Sequence, residues 1–171
     1  MLDATGLELV AQELLDVDAE SVLDTVFFRE RAALIVAPAT VPATLERLRE
    51  RGFRFLASVH GVDYFPEEPR LGVHYELLDM VEVDRIGVRT RVTIDDPHVP
   101  SVTPAWPTAD HQEREIYDMF GVIFDGHPDL RRILMPEDYE GHPQRRDFPM
   151  GGEPVLFTYN ERTTPAWWEN Q

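Results

Sequence analysis

Hydrophobic positions in the first part of the chain follow two periods. Leu7, Val10, Ala11, Leu14 and Leu15 recur at i, i+3, i+4, i+7 and i+8, which predicts a first amphipathic helix. The apolar run Ala32–Ala37 predicts a short buried strand. Val41, Leu45 and Leu48 form the stripe of a second helix, with Thr40 placed to cap its start, Pro42 in its first turn and Gly52 where a left-handed residue ends it. Alternation then takes over in three segments. Phe53, Phe55, Ala57 and Val59 alternate with Arg54, Leu56, Ser58 and His60; Leu71, Val73, Tyr75 and Leu77 follow; Val88, Thr90, Val92 and Ile94 show the clearest period of two. The order helix, strand, helix, strand, strand, strand predicts an α+β domain with helices on one face of a mixed or antiparallel sheet.

Punctuation changes after residue 95. Ten of the 14 prolines lie from Pro97 onward. The stretch Asp95–Pro107 holds four of them and is expected to form no regular element. Asp110 is expected to cap a third helix with Glu113 completing an acidic capping box, Trp106 packing near its start, Ile116, Met119 and Phe120 on its apolar face, and Gly121 as its stop. After Val122–Phe124 and the Asp125-Gly126 turn, periodicity fades. The chain thus divides into an α+β domain over residues 1–125 and an extended tail over 126–171. That tail carries Tyr139, Phe148, Phe157, Tyr159, Trp167 and Trp168. Each aromatic presents roughly 150–250 Å² that favours burial. The simplest account is burial against partner proteins; the alternative is a tail wrapped back on its own domain.

Composition removes several chemistries. The chain has no cysteine, which excludes disulfides, thiolate nucleophiles and cysteine-ligated clusters or zinc. Its 16 basic residues are all arginine, against 32 acids, for a net charge of −16. Lysine Schiff bases and phosphate-loop lysines are thereby absent, and binding to nucleic acid or directly to anionic lipid is not expected. No apolar run approaches the ~20 residues of a membrane span, and the first residues lack the basic, then apolar, pattern of a signal peptide. Between His127 and Phe148, however, four arginines (Arg131, Arg132, Arg145, Arg146) nearly balance five acids (Asp129, Glu137, Asp138, Glu140, Asp147). Two Arg-Arg pairs in an acidic chain suit bidentate pairing with carboxylates on a partner.

Candidate catalytic groups are sparse. His127 and His142 lie 15 residues apart, each before a proline, with carboxylates between them, but the spacing matches no standard metal-ligand pattern. His60 and His74 read as residues of a sheet. Glu113, Arg114, Glu115 and Asp118 form a charged group on the third helix, in which Arg114 and Asp118 are spaced as an i,i+4 pair. No glycine-rich phosphate loop or nucleophile motif is present. A stand-alone enzyme using a metal on His127 and His142, or a generic acidic adaptor that binds partners, are the readings from other classes.

The run Glu-Arg-Glu-Ile-Tyr-Asp-Met-Phe-Gly at 113–121, the segment Gly-His-Pro-Asp-Leu-Arg-Arg-Ile-Leu at 126–134 and the continuation Met-Pro-Glu-Asp-Tyr-Glu-Gly-His-Pro-Gln-Arg-Arg-Asp-Phe-Pro at 135–149 resemble the signature of the 30 kDa subunit family of respiratory complex I. Gly52-Phe53 and Gly61-Val62-Asp63-Tyr64 are similar to its earlier strand and turn. The resemblance implies a ferredoxin-like α+β domain whose long tail docks onto neighbouring subunits. It implies a non-catalytic subunit of NADH–quinone oxidoreductase, the proton-translocating complex I. FMN, iron–sulfur clusters and quinone would all be held by partners: the large quinone-pocket subunit and the cluster-bearing subunits. Peripheral attachment to the cytoplasmic side of the cell membrane, through the complex, follows. The interface residues it suggests are Glu113, Arg114, Glu115, Asp118, His127, Asp129, Arg131, Arg132, Glu137, Asp138, His142, Arg145, Arg146 and Asp147. Against that family, the chain is expected to be a member that is short after Pro149 and not fused to the quinone-pocket subunit, unlike some others. Related membrane-bound hydrogenases, formate hydrogenlyases and other-donor dehydrogenases carry the same module and are the alternative setting.

Overall fold

A helix, α1, runs over Ala4–Leu15, with the Asp3 carboxylate accepting from Gly6 N at 2.7 Å as its cap. The computed structural model describes residues 3–149. A hairpin follows, β1 (Val22–Phe28) and β2 (Arg31–Val36), then α2 (Val41–Arg51), β3 (Phe55–Asp63), β4 (Leu71–Asp79) and β5 (Asp84–Val92). The strands form a five-stranded mixed sheet in the order β1-β2-β5-β4-β3. Within this sheet only β2 and β5 pair in parallel, with Leu34 opposite Val88. The parallel contact at the centre requires the long crossover through α2 that the sequence provides.

The predicted stripes are the buried ones. Leu7, Val10, Ala11 and Leu14 of α1 and Leu45 and Leu48 of α2 pack on Leu34, Val73, Tyr75 and Val88 of the sheet. Each such aliphatic side chain contributes about 1.5–3 kcal/mol on burial. Gly52 ends α2 with φ +125°, and the next amide, Phe53 N, donates to Leu48 O at 3.0 Å. Phe53 therefore closes the helix, and β3 begins two residues later than the alternation suggests and continues to Asp63. The strand expected at 88–94 lies at Asp84–Val92. Thr40 occupies the cap position of α2 but its hydroxyl donates to Ala37 O and Ser21 O rather than accepting from the helix, because a 3-10 turn at Pro38–Thr40 leads directly into it.

Beyond the sheet, the proline-rich stretch contains a short strand, β6 (His98–Pro100), where no regular element was expected. It pairs in parallel with β7 (Ile123–Asp125). A 3-10 turn at Pro107–Ala109 opens onto α3 (Asp110–Phe120), which lies against β3. Gly61 makes that approach possible: a Cβ there would sit 2.5 Å from Phe120 Cδ2 and 3.3 Å from Ile116 Cγ2. A hydrogen bond from Val59 N to the Gln112 side chain fixes the same contact. Residues 126–149 run in turns and bends with no further helix or strand. Phe157, Tyr159, Trp167 and Trp168, expected to be part of a sticky tail, lie outside the described residues.

Gly61→Ala is expected to lower stability by about 1–3 kcal/mol, since α3 must lift off the sheet or deform it. Urea denaturation of the purified chain measures this, and an unchanged midpoint would show that α3 does not rest on Gly61.

Candidate functional site

Helix α3 and the segment after it contain all the interface residues suggested above, and the fold gathers most of them into three groups. At the start of α3, the cap residue is Ala109, without a side-chain bond, and Asp110 is already helical. The expected capping box does not form. Glu113 instead points into the protein, fully buried, where it accepts from Ser101 Oγ at 2.6 Å and Val102 N at 2.8 Å. The buried side chain of His127 completes the group, its Nε2 lying 3.1 Å from the Asp110 carboxylate and 3.9 Å from Glu113. Burial pushes the Glu113 carboxyl above its ordinary range, against the pull of its hydrogen bonds from Ser101 and Val102.

At the other end of α3, Asp118 is also fully buried. Its Oδ2 accepts from three successive amides, Ile133 at 3.1 Å, Leu134 at 2.7 Å and Met135 at 2.8 Å, and its Oδ1 accepts from Arg132 Nη1 at 2.6 Å. Burial alone would raise this carboxyl; the amides of Met135 and Leu134, the Arg132 guanidinium and the Ile133 amide together hold it below its ordinary value. The i,i+4 pair expected between Arg114 and Asp118 is thus replaced. Arg114 donates to the carbonyls of Arg131 and Arg132, both at 3.2 Å.

The last carbonyls of a helix have no partner within it. In α3 they are met by the segment that follows. The Asp118 carbonyl receives His142 Nδ1 at 3.0 Å, Met119 O receives Gln144 N at 3.1 Å, and Phe120 O receives Arg145 Nε at 2.6 Å. Gly121 leaves the helix with φ +78°, and a Cβ there would lie 2.5 Å from both Arg145 Nη2 and His142 Nε2. A guanidinium at a helix C-terminus also complements the helix dipole. Arg132 reaches onward to Gly141 O at 2.9 Å and lies 5.7 Å over the Tyr139 ring, which stacks on Phe148.

The third group ties the segment's end to the sheet. Arg70 is buried and forks onto Asp63 with two 2.7 Å bonds and onto Asp147 at 2.8 and 2.6 Å. The Arg146 amide donates to Asp63 at 2.7 Å and its guanidinium to Phe65 O at 2.9 Å. Arg70 holds the Asp63 carboxyl well below the carboxylate range, and holds Asp147 down as well. Asp63 and Arg70 were not among the expected site residues. The available signal was an acid and a base at the two ends of one inter-strand turn. Asp129 and Arg131 form a surface pair at 2.8 Å, while Glu115, Glu137 and Asp138 are exposed.

Residues 126–149 therefore lie back on their own domain, and Arg132, Arg145 and Arg146 find acceptors within the chain. What the arrangement leaves outward is a loop tied from beneath by Asp118, with Ile133 and Leu134 exposed at its surface.

The profile of the family described as "Respiratory-chain NADH dehydrogenase, 30 Kd subunit" matches residues 34–154, which run from within β2 through β5 and α3 to the end of the tied segment. The chain belongs to this family. It is 48% identical over 166 residues to the C subunit of the NADH-quinone oxidoreductase of Saccharopolyspora erythraea, covering 95% of this chain and 66% of that protein. The corresponding protein of Roseiflexus sp. (strain RS-1) is 44% identical over 162 residues, covering 93% of this chain and 91% of its own. Among solved structures, a trypsin-resistant fragment of Nqo5 is 30% identical with a TM-score of 0.61, covering 72% of this chain and 99% of that one. A chain of the membrane-bound sulfane sulfur reductase, an archaeal respiratory membrane complex, is 26% identical with a TM-score of 0.69, covering 84% and 85%. The matched region thus takes in both most of the sheet and the tied segment.

Asp118→Ala removes a buried carboxylate and leaves Arg132 and three amides without their acceptor. Stability is expected to fall by about 3–5 kcal/mol, with loss of hydrogen-exchange protection at the amides of Ile133, Leu134 and Met135. Retained protection would show that the loop is held elsewhere. Glu113 gives the opposite pH dependence to the depressed acids. Its proton is held more tightly folded than unfolded, so stability falls as pH rises from ~4.3, the unfolded value, through the higher folded one. Glu113→Gln is expected to abolish that fall, measured by urea denaturation at a series of pH values. Asp63, Asp118 and Asp147, all depressed, contribute stability that is present above ~3.9 and lost as pH drops further. A pH profile identical in wild type and Glu113→Gln would remove the assignment.

Proposed function

We propose that this chain is a non-catalytic subunit of the peripheral arm of a proton-translocating NADH–quinone oxidoreductase. It docks the large quinone-pocket subunit and the cluster-bearing subunits while electrons pass from NADH to quinone. FMN, iron–sulfur clusters and quinone reside on those partners, and this chain contributes no catalytic residue. The observation that carries the reading is the family match across α3 and the segment tied to it by side-chain hydrogen bonds and ion pairs. A segment ordered in advance loses little conformational freedom on binding, which suits a docking element. The relatives named above are C subunits of NADH-quinone oxidoreductases. Among the described residues, no helix is long and apolar enough to cross a membrane. Attachment to the cytoplasmic face of the membrane through the complex accords with that. A second setting, a membrane-bound respiratory complex using another donor, is favoured by the likeness to the sulfane sulfur reductase chain.

Purification of the tagged chain from membranes of its own host, in mild detergent, tests the proposal. Flavin- and cluster-bearing partners with NADH–quinone reductase activity are expected. Partners without NADH oxidation would move the chain to the second setting, and recovery alone would overturn both. In the same host, Arg145→Glu with Arg146→Glu is expected to lower the amount of intact complex several-fold on native gels, because the acceptors Phe120 O and Phe65 O then face carboxylates. Flavin and iron content per intact complex should not change. Normal amounts of complex would defeat the docking role of this segment.

A further inference from the structure

All three helices pack on one face of the five-stranded sheet, and among the described residues no helix or strand covers the other, on which the Tyr64 ring lies against Gly72 and His74 at the β3–β4 end. The residues alternating with buried Leu34, Ile86 and Val88 project from this open face. Beside the β1–β2 turn it holds a pocket of about 560 Å³ lined by Val26, Phe28, Arg29, Arg31 and Arg89. Arg29 lies 5.2 Å over the Phe28 ring. Arg31 and Arg89 form no ion pair among the described residues, where the salt bridges engage other arginines. The Nε of Arg89 is buried and meets no acceptor among the described residues. A buried donor without an acceptor, among like charges, is a costly arrangement that an anion in the pocket would relieve. This happens in a chain whose net charge is −16.

We propose that this pocket receives the carboxylate side chains of an acidic segment on a partner protein of the complex, making the open sheet face a second docking surface. The face is separate from the segment tied to α3. The Arg70 cluster sits by the β3–β4 turn, whereas the β1–β2 and β4–β5 turns lie together at the opposite end of the sheet, as the pairing of Ala32 with Ile86 and of Asp79 with Asp84 requires. A protein segment fits better than a free anion because the rim is apolar. Phe28 is 65% exposed, and Met80, Val81 and Val83 of the neighbouring turn are exposed at 71%, 85% and 82%. A small anion leaves that surface in water, whereas a partner covers it. An anionic lipid surface is disfavoured because it repels a strongly acidic chain. Guanidinium forks beside an aromatic wall suit carboxylates next to apolar side chains.

The inference rests on the chain being a subunit, and one preparation separates the two. The complex is isolated with Phe28→p-benzoylphenylalanine and illuminated, and the cross-linked peptides are identified by mass spectrometry. A cross-link into a segment of another protein of the complex bearing adjacent Asp or Glu residues is expected. Its yield should fall at least about tenfold with Arg31→Glu and Arg89→Glu, as loss of charge complementarity predicts, and be largely kept with Arg31→Lys and Arg89→Lys. Should the reversal variant fail to fold, Arg31→Gln with Arg89→Gln supplies the same comparison. The proposal is overturned by cross-links into lipid, into this chain or into a segment without carboxylates, by a yield indifferent to the arginines, or by an intact complex with no cross-link. Failure to recover any complex overturns the subunit reading itself, and this inference with it.

Discussion

One buried carboxylate decides where the last part of the described chain lies. Asp118 has no access to solvent and carries a full charge, a condition tolerated only if several donors surround it. Its own helix supplies none of the four donors it uses. All come from residues 132–135, so the loop must return to the helix for the charge to be stable. Three consecutive amides converging on one oxygen fix the backbone of that loop, not merely a side chain. The position of Asp118 depends in turn on α3 resting against β3, which Gly61 permits.

The same helix end imposes a second requirement. Its final carbonyls need donors, and the chain meets the need with residues 142–145 in place of solvent. Two residues further on, Asp147 is gripped by Arg70, whose other hydrogen bonds hold Asp63 at the end of β3. Residues 132–147 are therefore anchored at three places, two on α3 and one on the sheet. The exposed Ile133 and Leu134 project from a backbone that has already lost its freedom, so a partner that covers them pays little of the ordering cost that a disordered tail imposes.

Periodicity made the interior legible. α1, α2 and β4 follow from their stripes because each buries one face against the same core. β1 escapes because it is an edge strand with a bulge between Val22 and Asp24, where Leu23, Phe27 and Phe28 are exposed and the alternation fails. The site was legible as a set of residues and not as a set of contacts. Charged residues on a helix read as surface pairs, and Arg114 with Asp118 has the right spacing for one. The alternative partners lie 14 to 17 residues away, across a loop with no periodic signal. Glu113 likewise fits a capping box locally, and only the return of Ser101 and Val102 to the helix shows that it is buried. Resemblance to the family pointed to a stretch of sequence, because a signature marks residues without saying what they touch.

Arginine-only usage, which composition leaves without meaning, has a structural use at these anchors. Arg114 reaches two successive carbonyls, Arg132 bridges the Asp118 carboxylate and Gly141 O, and Arg70 spans two carboxylates. Each exploits a planar fork with several donors at fixed angles, which a lysine ammonium cannot reproduce. The guanidinium also stays charged on burial, so Arg70 remains cationic between its two acids. Arg31 and Arg89 have the same forks and form no ion pair among the described residues. In a chain where acids outnumber arginines two to one, internal carboxylates are not scarce. Leaving those two guanidinia unmatched on an open sheet face, beside an exposed aromatic, is what distinguishes a surface that awaits an acidic partner from one that faces water.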